Sequence, residues 1–182
     1  EIRLSLVGSE MCIRDRGLTP LVGAPTATPV PVSPDLFRAV LAETAVAVDD
    51  TAELDSALDG ESTVLVLGQY LSALGLVSEG EEIALQKEMI DRAASRRPQH
   101  IVFKPHPAAP PRLSDALRDR ARVHGIDFRE YRGALAAEML AERIDATAVI
   151  AGFSTALPTV QALFGRETVS YTHLTLPTTP YV

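Results

Sequence analysis

The sequence predicts an α/β fold, a Rossmann-like parallel sheet with helices on both faces. Three observations carry it. Short, mainly apolar runs, Thr63 to Leu67, Ile101 to Lys104 and Ala146 to Ala151, suit strands covered on both faces. Between them lie segments whose apolar residues recur at helical spacing. Each run breaks into a loop of Gly, Pro or hydroxyl residues, and repeated strand-helix alternation implies right-handed crossovers.

The chain has 182 residues, and both ends stand apart. Residues 1–16, with Ser9-Glu10-Met11-Cys12-Ile13-Arg14-Asp15-Arg16, and residues 169–182, with Tyr171-Thr172-His173-Leu174-Thr175-Leu176-Pro177, resemble translated sequencing-adapter sequence. Both are set aside from fold reasoning as artefact. The remainder is one domain of ordinary size, small for a complete two-domain enzyme, and reads as a fragment.

Composition excludes several classes. With 46% hydrophobic residues the chain is globular, and no apolar run reaches the roughly 18 residues of a membrane span. A net charge of -7 argues against general nucleic-acid binding, which needs clustered basic residues. The single cysteine, Cys12, lies in the set-aside end, so no disulfide framework, thiol nucleophile or Cys-based metal site is expected, which fits a cytoplasmic protein.

Taken in order, prolines at 20, 25, 29, 31 and 34 make the stretch from Gly17 an extended linker. Ser33 caps a short helix with Pro34 at its first position and Leu36, Phe37, Val40 and Leu41 along one face. Asp49 to Glu61 reads as a solvated turn and poor helix; residues 17–62 together are linker and interdomain remnant. Thr63 to Leu67 is the first strand, ending at Gly68-Gln69. Ser78 and Glu81 form a capping box for a helix running to about Arg97, with Ile83, Met89, Ile90 and Ala93 on its apolar side.

Ile101 to Lys104 is the next strand. Leu113, Leu117, Ala121 and His124 mark a helix stopped by Gly125, ahead of a short strand Ile126-Asp127-Phe128. Leu135, Met139 and Leu140 mark another helix, Ala146 to Ala151 a buried strand, and Leu157, Val160 and Phe164 a last helix.

Two loops at strand ends have the chemistry of an anion site. In Lys104-Pro105-His106-Pro107, each proline biases the residue before it toward extended backbone, so the Lys104 and His106 side chains sit on a stiff loop. A histidine, with an unperturbed pKa of about 6.5, can donate a hydrogen bond or a proton to phosphate near neutrality. The 17 basic residues include only two lysines, Lys87 and Lys104, which makes a lysine at the lip of a buried strand notable. In Gly152-Phe153-Ser154-Thr155, two hydroxyls precede a helix whose first N–H groups favour an anion.

Taken singly, the first loop is a strand end and the second an ordinary N-cap. At one edge of one sheet, where ligands of such folds bind, they read together as a phosphate site.

Other candidates read as structure. Glu138 is placed to contact a ribose or to lie exposed on a polar helix. His100 and His124 are not spaced as metal ligands, and Asp49-Asp50 and Glu81-Glu82 read as solvated faces. No Gly-x-Gly-x-x-Gly and no P-loop is present, which counts against dinucleotides and nucleoside triphosphates.

Leu65-Val66-Leu67-Gly68-Gln69, Lys104-Pro105-His106-Pro107 and Gly152-Phe153-Ser154-Thr155-Ala156-Leu157 together resemble the bacterial sialyltransferases and alpha-2,8-polysialyltransferases. The resemblance runs from Thr63 to Arg166 and implies that residues 63–168 are the C-terminal, donor-binding half of a GT-B glycosyltransferase. It implies a CMP-sialic acid donor, a glycan acceptor such as a capsule polysaccharide, inverting transfer, and neither cofactor nor metal. His106 would act at the CMP phosphate with Ser154 and Thr155, and Lys104, Pro105, Pro107, Gly68, Gln69, Glu138 and Gly152 would contribute to donor binding.

The family's acidic base belongs to an Asp/Glu-Asp/Glu-Gly motif of the N-terminal domain. Asp59-Gly60 and Glu79-Gly80 are in the wrong domain to supply it, so the missing N-terminal domain is the expected partner, and these residues are expected to be inactive alone. The resemblance allows peripheral membrane association of the full-length protein. Two rival functions share the same loops: a transferase using a CMP- or CDP-linked polyol phosphate or capsule precursor, and a nucleotide-binding module without chemistry.

Overall fold

The structure, a computed structural model, describes residues 32–46, 48, 54, 58, 61–106, 109 and 112–171. Its centre is a five-stranded, all-parallel sheet: β1 (Thr63–Leu67), β2 (His100–Lys104), β3 (Asp127–Glu130), β4 (Ala148–Ala151) and β5 (Glu167–Ser170). The order is β3-β2-β1-β4-β5, so the chain builds outward from β1 on one side and then returns to build on the other. The described helices are α1 (Pro34–Val46), α2 (Glu79–Ala94), α3 (Arg112–Val123), α4 (Ala137–Arg143) and α5 (Ala156–Phe164).

Every residue of β1 and β4 is buried, because helices cover both faces. Alternation sorts β1 into two cores. Val64 and Val66 pack with Met89 and Ile90 of α2 and Leu117 and Ala121 of α3. Leu65 and Leu67 pack on the other side with Leu140 of α4 and Leu157 and Val160 of α5.

Element limits differ modestly from the sequence reading. The α2 capping box forms as expected, with the Ser78 hydroxyl accepting the Glu81 N–H at 3.2 Å and the Glu81 carboxylate accepting the Ser78 N–H at 2.7 Å. The helix stops at Ala94 rather than Arg97, because Arg97 takes a left-handed φ of 54° that cannot continue it. The third strand is shifted to Asp127–Glu130, pinned by parallel pairing of His100 with Asp127.

The acidic stretch before β1 is not wholly solvated. Leu54 and Leu58, one helical turn apart, are both buried in the core beside Leu65 and Leu67. The linker from Gly17 to Pro31 and most of residues 49–60 lie outside the described residues. The fifth strand includes Val169 and Ser170, two residues of the end set aside as adapter-like, which pair with Ile150 and Ala151.

Candidate functional site

Register decides which loops meet. Leu67 is level with Lys104 on one side and with Ala151 on the other, so Gly68, Pro105 and Gly152 leave the sheet side by side. The return of the chain across β1 puts the topological switch point between the ends of β1 and β4, where open α/β sheets bind ligands.

Gly68 lets the His-Pro loop close over the end of β1. A Cβ there would lie 2.9 Å from the Pro105 Cα, nearer than backbone allows, and a tight 3.1 Å from the His106 nitrogen. The Gly68 N–H also donates to the Lys104 carbonyl at 2.8 Å, carrying strand pairing one residue past β1. His106 is thereby turned toward the next residues of the β1 loop, and its ring stacks on Tyr70 with centroids 4.5 Å apart and planes 12° from parallel. His106 is exposed, as a ligand group must be.

Gln69 joins the same loop to the hydroxyl loop. Its amide nitrogen donates to the Leu67 carbonyl at 3.1 Å and its amide oxygen accepts the Phe153 N–H at 2.9 Å. Gly152 makes room for it, since a Cβ there would meet the Gln69 amide at 3.2 Å. Gln69 is buried, so its contribution to a ligand site runs through the backbone it holds.

Ser154 and Thr155 divide the work at the start of α5. The Ser154 hydroxyl accepts the Ala156 N–H at 3.2 Å, and Pro158 offers no N–H. Thr155 is the N-cap residue, is exposed, and makes no side-chain cap bond. A hydroxyl that accepts from its own helix still has its proton to donate, so both residues retain donors for an anion.

Lys104 acts sideways. Its ammonium donates to the Gly133 carbonyl at 2.9 Å and lies 4.8 Å from the centre of the Tyr131 ring. The Tyr131 hydroxyl in turn accepts the Leu135 N–H at 3.0 Å. These contacts fasten the loop that leads into α4, where Glu138 sits half-buried in the first turn. Pro107 lies outside the described residues.

Sequence reasoning missed two residues of this region. Tyr70 is one. The other is Glu82, read as part of a solvated face but only 5% exposed. Its carboxylate accepts the Leu71 N–H at 3.0 Å, the Ser72 N–H at 2.9 Å, the Ser72 hydroxyl and the Gln86 amide. A signal existed in the spacing, because Glu82 falls on the same face as Gln86, Met89 and Ala93. With Tyr70, Ser72, Ile83, Ala109 and Leu113 it lines a small cleft.

His100 and His124 are structural. His100 is buried between Asp127, 2.9 Å from its Nδ1, and Glu61 at its Nε2, at the amino edge of the sheet, away from the site loops. His124 does not lie on the apolar face of α3; it follows the helix, exposed, with Nε2 2.7 Å from Asp91.

The family model of alpha-2,8-polysialyltransferase (POLYST) matches residues 24–173. The chain belongs to this family. The match extends past the stretch that carried the resemblance at both ends and takes in α1 and β5. A polysialyltransferase-family domain makes this a sialyltransferase-type glycosyltransferase. No curated protein matches the chain. No described helix is long and apolar enough to cross a membrane.

Proposed function

We propose that this polysialyltransferase-family chain binds CMP-sialic acid at the carboxyl edge of its sheet. It forms the donor side of an inverting sialyl transfer to a glycan acceptor such as a capsule polysaccharide, in a cytoplasmic GT-B enzyme. The observation that carries the reading is that Lys104 to His106 and Gly152 to Thr155 flank the same strand end at the switch point. The first meets Gly68 and Tyr70, and the second is bonded to Gln69 between them. Strands spaced by about 4.8 Å put these loops on the order of 10 Å apart, a width that side chains from both sides bridge to one phosphate.

In the proposed reaction the bond between the anomeric carbon of sialic acid and a CMP phosphate oxygen breaks, and negative charge gathers on the phosphate. His106 donates a hydrogen bond or its proton there, while the Ser154 and Thr155 hydroxyls and the start of α5 add donors. The acceptor hydroxyl attacks the opposite face of the anomeric carbon and gives its proton to a carboxylate. That carboxylate is placed, in this proposal, outside residues 63–168. Lys104 and Gln69 serve by holding loops, and Glu138 by its position at the ribose side.

The test is His106→Ala in the full-length protein, with CMP binding followed by calorimetry and transfer by product analysis. Loss of a proton donor at the leaving group predicts a fall in kcat of about 100-fold or more with the fold intact. Unchanged turnover overturns the assignment, and tighter binding of CDP-glycerol than of CMP-sialic acid overturns the donor.

A further inference from the structure

The stack on Tyr70 gives His106 a constraint that the two prolines cannot supply. Proline fixes the backbone around residue 106, but the imidazole still rotates about two side-chain bonds among several staggered positions. A phosphate ligand is useful only when its ring nitrogen points at the oxygen that gathers charge, because misplacement by about 1 Å costs on the order of 100-fold in rate. Tyr70 lies nearly parallel to the imidazole, with 12° between planes and 4.5 Å between centroids. Contact through the ring faces leaves the nitrogens at the ring edge, in the plane where hydrogen bonds are made.

Tyr70 is itself held from both sides along the chain. On one side Gln69 is fixed by bonds to Leu67 and Phe153. On the other, the buried Glu82 carboxylate takes the N–H groups of Leu71 and Ser72 together with the Ser72 hydroxyl. A buried carboxylate is costly unless its lone pairs are filled, and here four donors from Leu71, Ser72 and Gln86 fill them. Leu71 and Ser72, the residues directly after Tyr70, are thereby fastened to α2.

We propose that Tyr70 is a positioning residue for His106, and that Glu82 sets the position of Tyr70 by fastening Leu71 and Ser72. The proposal rests on the reading of His106 as the phosphate ligand. Tyr70 does not touch the donor: it fixes the plane in which His106 meets it, and the Tyr70 hydroxyl is not needed.

Tyr70→Phe, Tyr70→Leu and Glu82→Gln in the full-length protein test this, each first checked for a native amide spectrum. The imidazole proton resonances of His106, CMP affinity, and kcat and KM for transfer from CMP-sialic acid are then measured. Stacking shifts His106 ring protons upfield; Tyr70→Phe keeps that shift and near-normal turnover, whereas Tyr70→Leu loses both, with kcat down about 10- to 100-fold and KM little changed. Glu82→Gln gives a smaller loss of both. An unshifted His106 in the unaltered protein, or a Tyr70→Leu variant that loses the shift but keeps its kcat, overturns the proposal.

His106→Ala separates the two readings. If it leaves CMP affinity and kcat unchanged, the phosphate role falls and the positioning role with it. If it lowers kcat and Tyr70→Leu does not, only the positioning role is overturned.

Discussion

Gly68 shows how much of the site is decided by one missing side chain. The His-Pro loop can lie over β1 only because no Cβ stands between them, and the nearest obstacle, the Pro105 Cα, is backbone that cannot swing aside. Gly68→Ala is therefore expected to destabilise the chain by about 1–3 kcal/mol in urea titrations and to weaken CMP binding by displacing His106. A smaller change at Gly152 is expected, where the obstacle is the end of the Gln69 side chain. A bare Gly-Gln after a strand did not reveal this, since the clash is with a residue 37 positions away. Glu82 was hidden for the opposite reason: Glu81 beside it is a genuine exposed capping residue, and the pair reads as one polar patch.

Between elements, the α2 and α3 helices on one face of the sheet are joined by an ion cluster as well as by their apolar stripes. Asp91 of α2 takes two bonds from Arg120 of α3, at 2.6 and 2.7 Å, and lies 2.7 Å from His124 Nε2. The hydrogen bond from Arg120, above all, holds the Asp91 carboxyl below its usual range, against a smaller upward push from burial. A carboxyl with a lowered folded-state pKa binds fewer protons folded than unfolded. It therefore contributes stability that is present above the ordinary aspartate range of about 4 and is lost as pH falls through the lower folded value.

Unfolding free energy measured from pH 7 downward is expected to fall below about pH 4. Asp91→Asn is expected to lower the neutral plateau and flatten that acid limb. At the same scale, Leu117→Ala, which empties a fully buried position of α3 facing α2, is expected to cost about 2–5 kcal/mol by denaturant titration.

Across the molecule the two edges of the sheet are built for different ends. At the amino edge, His100 bridges Glu61 and Asp127, tying together the starts of β1, β2 and β3. At the carboxyl edge, the strand ends open into loops that hold one another while leaving His106 and Thr155 exposed. Hydrogen exchange with CMP is accordingly expected to slow at Gly68 to Ser72, Lys104 to His106 and Gly152 to Ala156. The amides near Glu61, His100 and Asp127 are expected to be unaffected; protection confined to that second set would place the ligand at the wrong edge.

The sequence by itself determined the fold class, four strands between Thr63 and Ala151, and the two loops of Gly, Pro and hydroxyl residues that leave them. The central strands, buried on both faces, are mainly apolar, the part-buried Asp127–Glu130 was placed by the Gly125 helix stop before it, and the loops are marked by Gly, Pro and hydroxyl residues. Tertiary structure alone decided the order β3-β2-β1-β4-β5 and the level alignment of Leu67 with Lys104 and Ala151. It also decided the stacking of Tyr70 on His106 and the burial of Glu82. These are long-range pairings fixed by which apolar faces cover which, and local spacing, which reports only neighbours along the chain, has no means of encoding them legibly.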